Sequence, residues 1–269
     1  MKKFFFTLLT LFVVVTSVQA GSAEAASTDT GWLNTAQLDQ GVISVSYAVP
    51  KDKRVKLMIT KDSNSYTYNL YASKQTETFP LQQGNGSYKV SVLENTTGNK
   101  YKVISSETVD LSLSNANAVY LGSVQNVKWS SSDTTVLKAK QLTQGLTTDE
   151  AKVKAIYNYI VSNVKYDYTL ASNVSTDYIP NNDNTLLTKK GICYDYASLF
   201  ATMLRSEGIP TKLVMGNSSY VSTYHAWNEV LLNGKWVIID TTVDAGLAKN
   251  SQTAGLIKDA SKYSAAKFY

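Results

Sequence analysis

The chain has 269 residues, 43% of them hydrophobic, and carries 26 Lys and Arg against 21 Asp and Glu, a formal net charge of +5. That length suffices for one large domain or two ordinary ones, and the absence of any dense Lys/Arg run argues against nucleic-acid binding. One Cys and one His rule out an internal disulfide and a Cys/His metal cluster. Neither a Gly-x4-Gly-Lys phosphate loop nor a dinucleotide fingerprint is present, so no cofactor is expected.

Residues 1–20 read as a secretory signal peptide. Lys2-Lys3 form the charged start, Phe4 to Val15 the apolar core, and Val18-Gln19-Ala20 the small-residue cleavage site. A second cleavage site lies after Ala25, and a retained N-terminal anchor is the alternative to cleavage. Cleavage after Ala20 removes Lys2 and Lys3 and no acid, so the formal charge falls from +5 to +3. No second membrane segment is found, so the mature protein is expected to be secreted or associated with the cell surface or envelope, without an integral span. Residues 21–40 are small and polar and read as a linker.

From Gly41 the texture becomes β. Val42–Tyr47, Val55–Ile59, Tyr66–Tyr71, Ser87–Leu93 and Tyr101–Asp110 alternate, with turns at Gly84-Asn85-Gly86 and Asn95 to Asn99. Short strands at this spacing predict a β-sandwich over 41–114, loosely similar to immunoglobulin or fibronectin-type modules. Tyr66, Tyr68 and Tyr71 are either a stacking surface for sugar or peptide or ordinary strand tyrosines.

Residues 115–134 form a Ser/Asn-rich connection around Trp129, ahead of a domain over 135–269. Thr147-Thr148-Asp149-Glu150 starts a helix with caps and acids in its first turn. Val153, Ile156, Tyr157, Ile160 and Val164 give it one apolar stripe. Residues 166–188 read as a long polar loop, either a cleft wall or a plain connection. The tail from Gln252 to Tyr269 reads as an amphipathic helix with Leu256, Ile257, Ala260 and Tyr263 on one side.

The stretch from Lys189 to Asp244 carries the chemistry. Tyr196, Phe200, Met203 and Leu204 recur at helical spacing, Gly208 caps and Pro210 stops the helix, so Cys193 falls in its first turn. The unpaired N–H groups there favour a thiolate. Thr211–Gly216, His225–Leu232 and Lys235–Thr242 read as strands. Asn233-Gly234 joins the last two as a hairpin, which sets Leu232 opposite Lys235, Leu231 opposite Trp236 and Trp227 opposite Asp240. His225 and Asp240 then become diagonal neighbours on one sheet face. Cys193 as nucleophile, His225 as base and acid, and Asp240 as orienter make an acyl-transfer set. Asp244 competes for the carboxylate role. Trp227 and Tyr194 are candidate substrate contacts, with core or pocket-wall packing the other reading of Trp227 and Trp236.

The runs GICYDYASLFATMLRSEGIPTKLVMG and HAWNEVLLNGKWVIIDTT resemble the core of the transglutaminase-like superfamily, over roughly residues 135–250. One departure is Asp240-Thr241-Thr242, where that family often has Asp-Pro-Thr. The resemblance implies an α+β, papain-like catalytic domain with an antiparallel sheet and an N-terminal active-site helix. It also implies catalytic roles for Cys193, His225 and Asp240. The expected partner is a protein or peptide substrate, including cell-envelope material. Transfer to an amine gives cross-linking; transfer to water gives a cysteine peptidase or amidase. A non-catalytic surface-binding module is the rival reading.

Overall fold

The structure is a computed structural model and describes residues 31–72, 76–249 and 255–269. The expected signal peptide and residues 21–30 of the expected linker lie outside them. The architecture is α+β and divides into two compact units. The first holds the described residues up to Thr35, Ser44–Glu77 and Gln83–Ser112; the second holds Ala36–Ile43, Thr78–Gln82 and Leu113–Tyr269.

Seven strands come first: β1 (Leu33–Asn34), β2 (Val42–Val45), β3 (Val55–Lys61), β4 (Asn64–Leu70), β5 (Glu77–Pro80), β6 (Gly86–Asn95) and β7 (Tyr101–Leu111). In the first unit β4-β3-β6-β7 form an antiparallel sheet, and Leu33 of β1 pairs with Val45 of β2. Alternation buries one face, with Val55, Leu57 and Ile59 of β3 beside Tyr88, Val90 and Val92 of β6. Tyr66 and Tyr68 lie on that face, 9% and 4% exposed. They are core residues, which corrects their reading as a stacking surface. Period two puts both on the apolar side of β4.

The second unit contains α1 (Thr134–Thr143), α2 (Asp149–Asn163), β8 (Lys165–Tyr166), α3 (Tyr168–Asn173), α4 (Asn182–Thr188), β9 (Lys190–Gly191), α5 (Cys193–Ser206), β10 (Thr211–Ser218), β11 (Val221–Leu232), β12 (Lys235–Ile239), α6 (Thr241–Lys249) and β13 (Tyr263–Phe268). The strands β12-β11-β10-β13 make an antiparallel sheet. Helix α5 packs on β10 and β11 and is flanked by α1, α2 and α6. Its buried face, with Tyr196, Leu199, Phe200, Met203 and Leu204, meets Val153, Ile156 and Ile160 of α2. Full burial of each such Leu, Phe or Met side chain stabilises by about 1.5–3 kcal/mol. The hairpin forms as its turn chemistry requires. Asn233 and Gly234 have φ of 50° and 73°, and Leu232 pairs with Lys235 and Leu231 with Trp236.

Three expectations fail here. The third strand stops at Ile239 rather than Thr242, because Asp240 accepts the Val243 N–H at 3.0 Å and caps α6. The expected loop 166–188 contains α3 and α4. Each has its own cap, Asp167 accepting from Leu170 N and Asn181 from Asn184 N. The expected tail helix is instead β13, preceded by the short turn Ala260–Lys262. Backbone pairing with β10 outweighs the helical spacing of Leu256, Ile257, Ala260 and Tyr263. Residues 251–254 of that tail lie outside the described residues.

Candidate active site

Cys193 is the first residue of α5 and is half-buried. Two features fix its approach. The short parallel pair β8–β9 sets Tyr166 beside Gly191, and Asp167 N donates to Gly191 O at 2.9 Å. Asp195, three residues from the helix cap, then accepts the Ile192 N–H at 2.8 Å and the Tyr178 hydroxyl at 2.7 Å. Asp195 is buried, and burial holds its carboxyl above the usual range despite those two donors. Position 191 must be glycine, since a Cβ there would lie 2.5 Å from Asp195 Cβ. This close approach is the physical content of Gly-Ile-Cys. The first-turn N–H groups of α5 have no intrahelical acceptor, so they form a potential anion cradle at the thiol.

The imidazole comes from the sheet. Asn228 Nδ2 donates to Ala197 O of α5 at 2.9 Å and to Lys212 O of β10 at 3.1 Å, tying helix and sheet together three residues beyond His225. Tyr196 OH donates to Val164 O at 2.7 Å and anchors α5 to the end of α2. His225 is 3% exposed, and its Nε2 lies 2.8 Å from Asp240 Oδ2. The other ring nitrogen is left for Cys193, whose side chain is near enough to raise the proton affinity of the imidazole. Burial opposes a charge on His225. The hydrogen bonds and charges of Asp240 and Cys193 outweigh it and raise the imidazole to about 9. Asp240 is 0% exposed and accepts from three groups: His225, the Val243 N–H, and the Tyr263 hydroxyl at 2.9 Å.

The competing carboxylate is occupied elsewhere. Asp244 accepts the Tyr157 hydroxyl at 2.9 Å and pairs with Lys258. Trp227 is 1% exposed, which corrects its reading as a substrate contact. Its ring stacks on His225 at 6.2 Å and meets Tyr263 at 5.0 Å, forming the back wall of the imidazole. Tyr194 is half-buried, with its hydroxyl held by Asn126 Nδ2 at 2.7 Å. Sequence reasoning missed Tyr166, Asn126 and Tyr263. Burial and the neighbouring Cys193 charge push Tyr166, the register partner of Gly191, up to about 12. Among the described residues no group of three or more His, Cys, Asp or Glu could hold a metal ion.

Cys193, His225 and Asp240 are thus neighbours, and a thiolate–imidazolium pair needs those three groups together. Residues 138–241 match the family model described as the transglutaminase-like superfamily. This segment is similar to the transglutaminase-like core. Human (Homo sapiens) Kyphoscoliosis peptidase is 34% identical to the chain over 116 residues, which are 39% of this chain and 17% of that protein. The chain therefore spans only a small part of that relative's length. A candidate cysteine protease from Cytophaga hutchinsonii has a solved structure with a TM-score of 0.42 and 19% identity, covering 75% of this chain and 71% of that one. Red sea bream transglutaminase gives a TM-score of 0.29 at 10% identity, over 74% of this chain and 47% of its own. The residues matched by the family model, 138–241, include Cys193, His225 and Asp240. No helix among the described residues is long and apolar enough to cross a membrane.

Proposed function

We propose that this protein is a thiol acyl-transfer enzyme acting on amide bonds of proteins or peptides. The carrying observation is the buried His225 Nε2–Asp240 contact of 2.8 Å, with Cys193 among the neighbours that raise the proton affinity of the imidazole. Asp240 fixes the tautomer and stabilises the imidazolium, and His225 takes the Cys193 proton. The thiolate attacks the carbonyl carbon, and the oxyanion is held by the N–H of Cys193 at the helix start. His225 returns its proton to the leaving amine as the C–N bond breaks, leaving a thioester on Cys193. An incoming amine or water then attacks the thioester, giving up its proton to His225, and Cys193 leaves as the thiolate.

An amine acceptor makes this a cross-linking enzyme, one of the two outcomes that the family resemblance permits. Water makes it a cysteine peptidase, the outcome to which the similarity to human Kyphoscoliosis peptidase points. The leader over residues 1–20 supports export and a substrate outside the cell membrane, including envelope material. The test is incubation of the purified protein with a protein substrate and a fluorescent primary amine. Label incorporated into protein supports amine transfer, and new peptide termini support hydrolysis. Neither product, or full turnover by Cys193→Ala, would refute the proposal.

A further inference from the structure

We infer that Tyr263 of β13 is a positioning residue for the Asp240–His225 pair, holding the carboxylate aimed so that the imidazole faces Cys193. This rests on the thiol-enzyme reading above. Three observations converge on it. The Tyr263 hydroxyl donates to the same Asp240 oxygen, Oδ2, that binds His225 Nε2, at 2.9 Å against 2.8 Å. Ser218, the register partner of Tyr263 on β10, is close enough to that hydroxyl to lower its proton affinity. A Ser218 hydroxyl turned to that oxygen would leave the phenolic proton to point at Asp240. The Tyr263 ring also packs on Trp227 at 5.0 Å, and Trp227 stacks on His225. One side chain therefore reaches the imidazole by a hydrogen-bonded route and by an aromatic one.

The chemistry explains why Asp240 needs this donor. A carboxylate at 0% exposure has lost its water, and each charged-form hydrogen bond replaces part of that solvation. Its Oδ1 has the Val243 N–H. Its Oδ2 has only His225 once the Tyr263 hydroxyl is removed. The ionisable groups around the pair are Cys193 from α5, Tyr157 from α2, Asp244 from α6, and Tyr220 beside Tyr263. Asp244 raises the proton affinity of its surroundings, and Lys258 offsets part of its charge. None of these donates to Asp240 Oδ2. Losing the donor therefore leaves the carboxylate free to turn away from the ring, and the imidazolium that pairs with the thiolate loses its support.

The test compares full-length wild type, Tyr263→Phe, Ser218→Ala and His225→Ala. Tyr263→Phe keeps the ring and removes only the O–H. Ser218→Ala keeps the tyrosine and frees its hydroxyl to turn away. The first readout is the rate of Cys193 alkylation by iodoacetamide against pH. The second is the NMR resonance of the proton between His225 Nε2 and Asp240, unambiguous because the chain has one His. In Tyr263→Phe the acid limb of the labelling profile should move up by about one pH unit, a loss of about tenfold in rate on that limb. The imidazole resonance should shift with it, and Ser218→Ala should show a smaller change of the same sign. Profiles and resonances that superimpose on wild type in both variants would overturn the inference and leave the Cys193–His225 reading standing. If Tyr263→Phe does not fold, Ser218→Ala decides. An ordinary thiol profile shared by wild type and His225→Ala would instead sink the underlying reading of the site.

Discussion

Replacing Asp240 by Asn should reverse the titration of His225. Burial alone would push this imidazole below its ordinary value of 6.5, yet the Asp240 and Cys193 contacts lift it to about 9. At 1.36 kcal/mol per pH unit, that difference corresponds to about 3 kcal/mol in favour of the protonated, folded state. The raised value fixes the sign. The stabilisation is present in full below pH 6.5 and is lost as pH rises through about 9. The Asp240→Asn change keeps the shape of the side chain but not its charge, so burial should win and the imidazole should titrate below 6.5. The assay is an NMR titration of the ring protons, assigned without ambiguity because His225 is the only histidine. Urea unfolding at pH 6 and pH 10 provides the thermodynamic check: the pH-dependent part of stability should shrink in the variant. A variant imidazole still titrating near 9, or a wild-type one near 6.5, would refute the reasoning.

Three further outcomes are expected. Gly216→Ala would put a Cβ 2.1 Å from Ser264 O and 3.0 Å from Trp227 Cη2, so β13 must leave β10; thermal denaturation should show a loss of about 2 kcal/mol or more, with slower Cys193 labelling. Gly191→Ala would clash with Asp195 at 2.5 Å and disturb the start of α5, so the rate of Cys193 alkylation should fall more than about tenfold while urea unfolding shows a cost of only about 1 kcal/mol. Asp183→Ala would remove the carboxylate that accepts Thr134 N at 3.2 Å and Thr135 N and Oγ1 at 2.8 and 2.7 Å, so urea unfolding should report a cost of about 1–2 kcal/mol with the labelling rate unchanged.

The legible features follow from local chemistry. The stripe from Val153 to Val164, the Gly208 stop and the Asn233-Gly234 turn each act within a few residues, so periodicity and turn type expose them. The hairpin register then brings His225 towards Asp240 with no knowledge of the rest of the chain. The hidden features depend on distant partners. Helix α1 has few apolar positions, and its start is held by Asp183 of α4, 48 residues away from Thr135. The residues from Tyr263 to Phe268 become a strand only because β10 offers an edge, and Gly216 lets the two backbones approach. Periodicity therefore assigns Tyr263 to a helix face, when it lies against Asp240. Trp227 misleads for a related reason: alternation puts it on the His225 face, but only packing shows that this part of the face is covered.

The single thiol allows the most direct test of the proposed chemistry. Iodoacetamide labelling of Cys193 against pH, in wild type and in His225→Ala, reports one site in each protein. An activated thiolate–imidazolium pair predicts fast labelling well below about pH 8 in wild type and its collapse in the variant. An ordinary thiol curve with a midpoint of about 8.5 in both proteins would contradict the assignment of Cys193 as nucleophile.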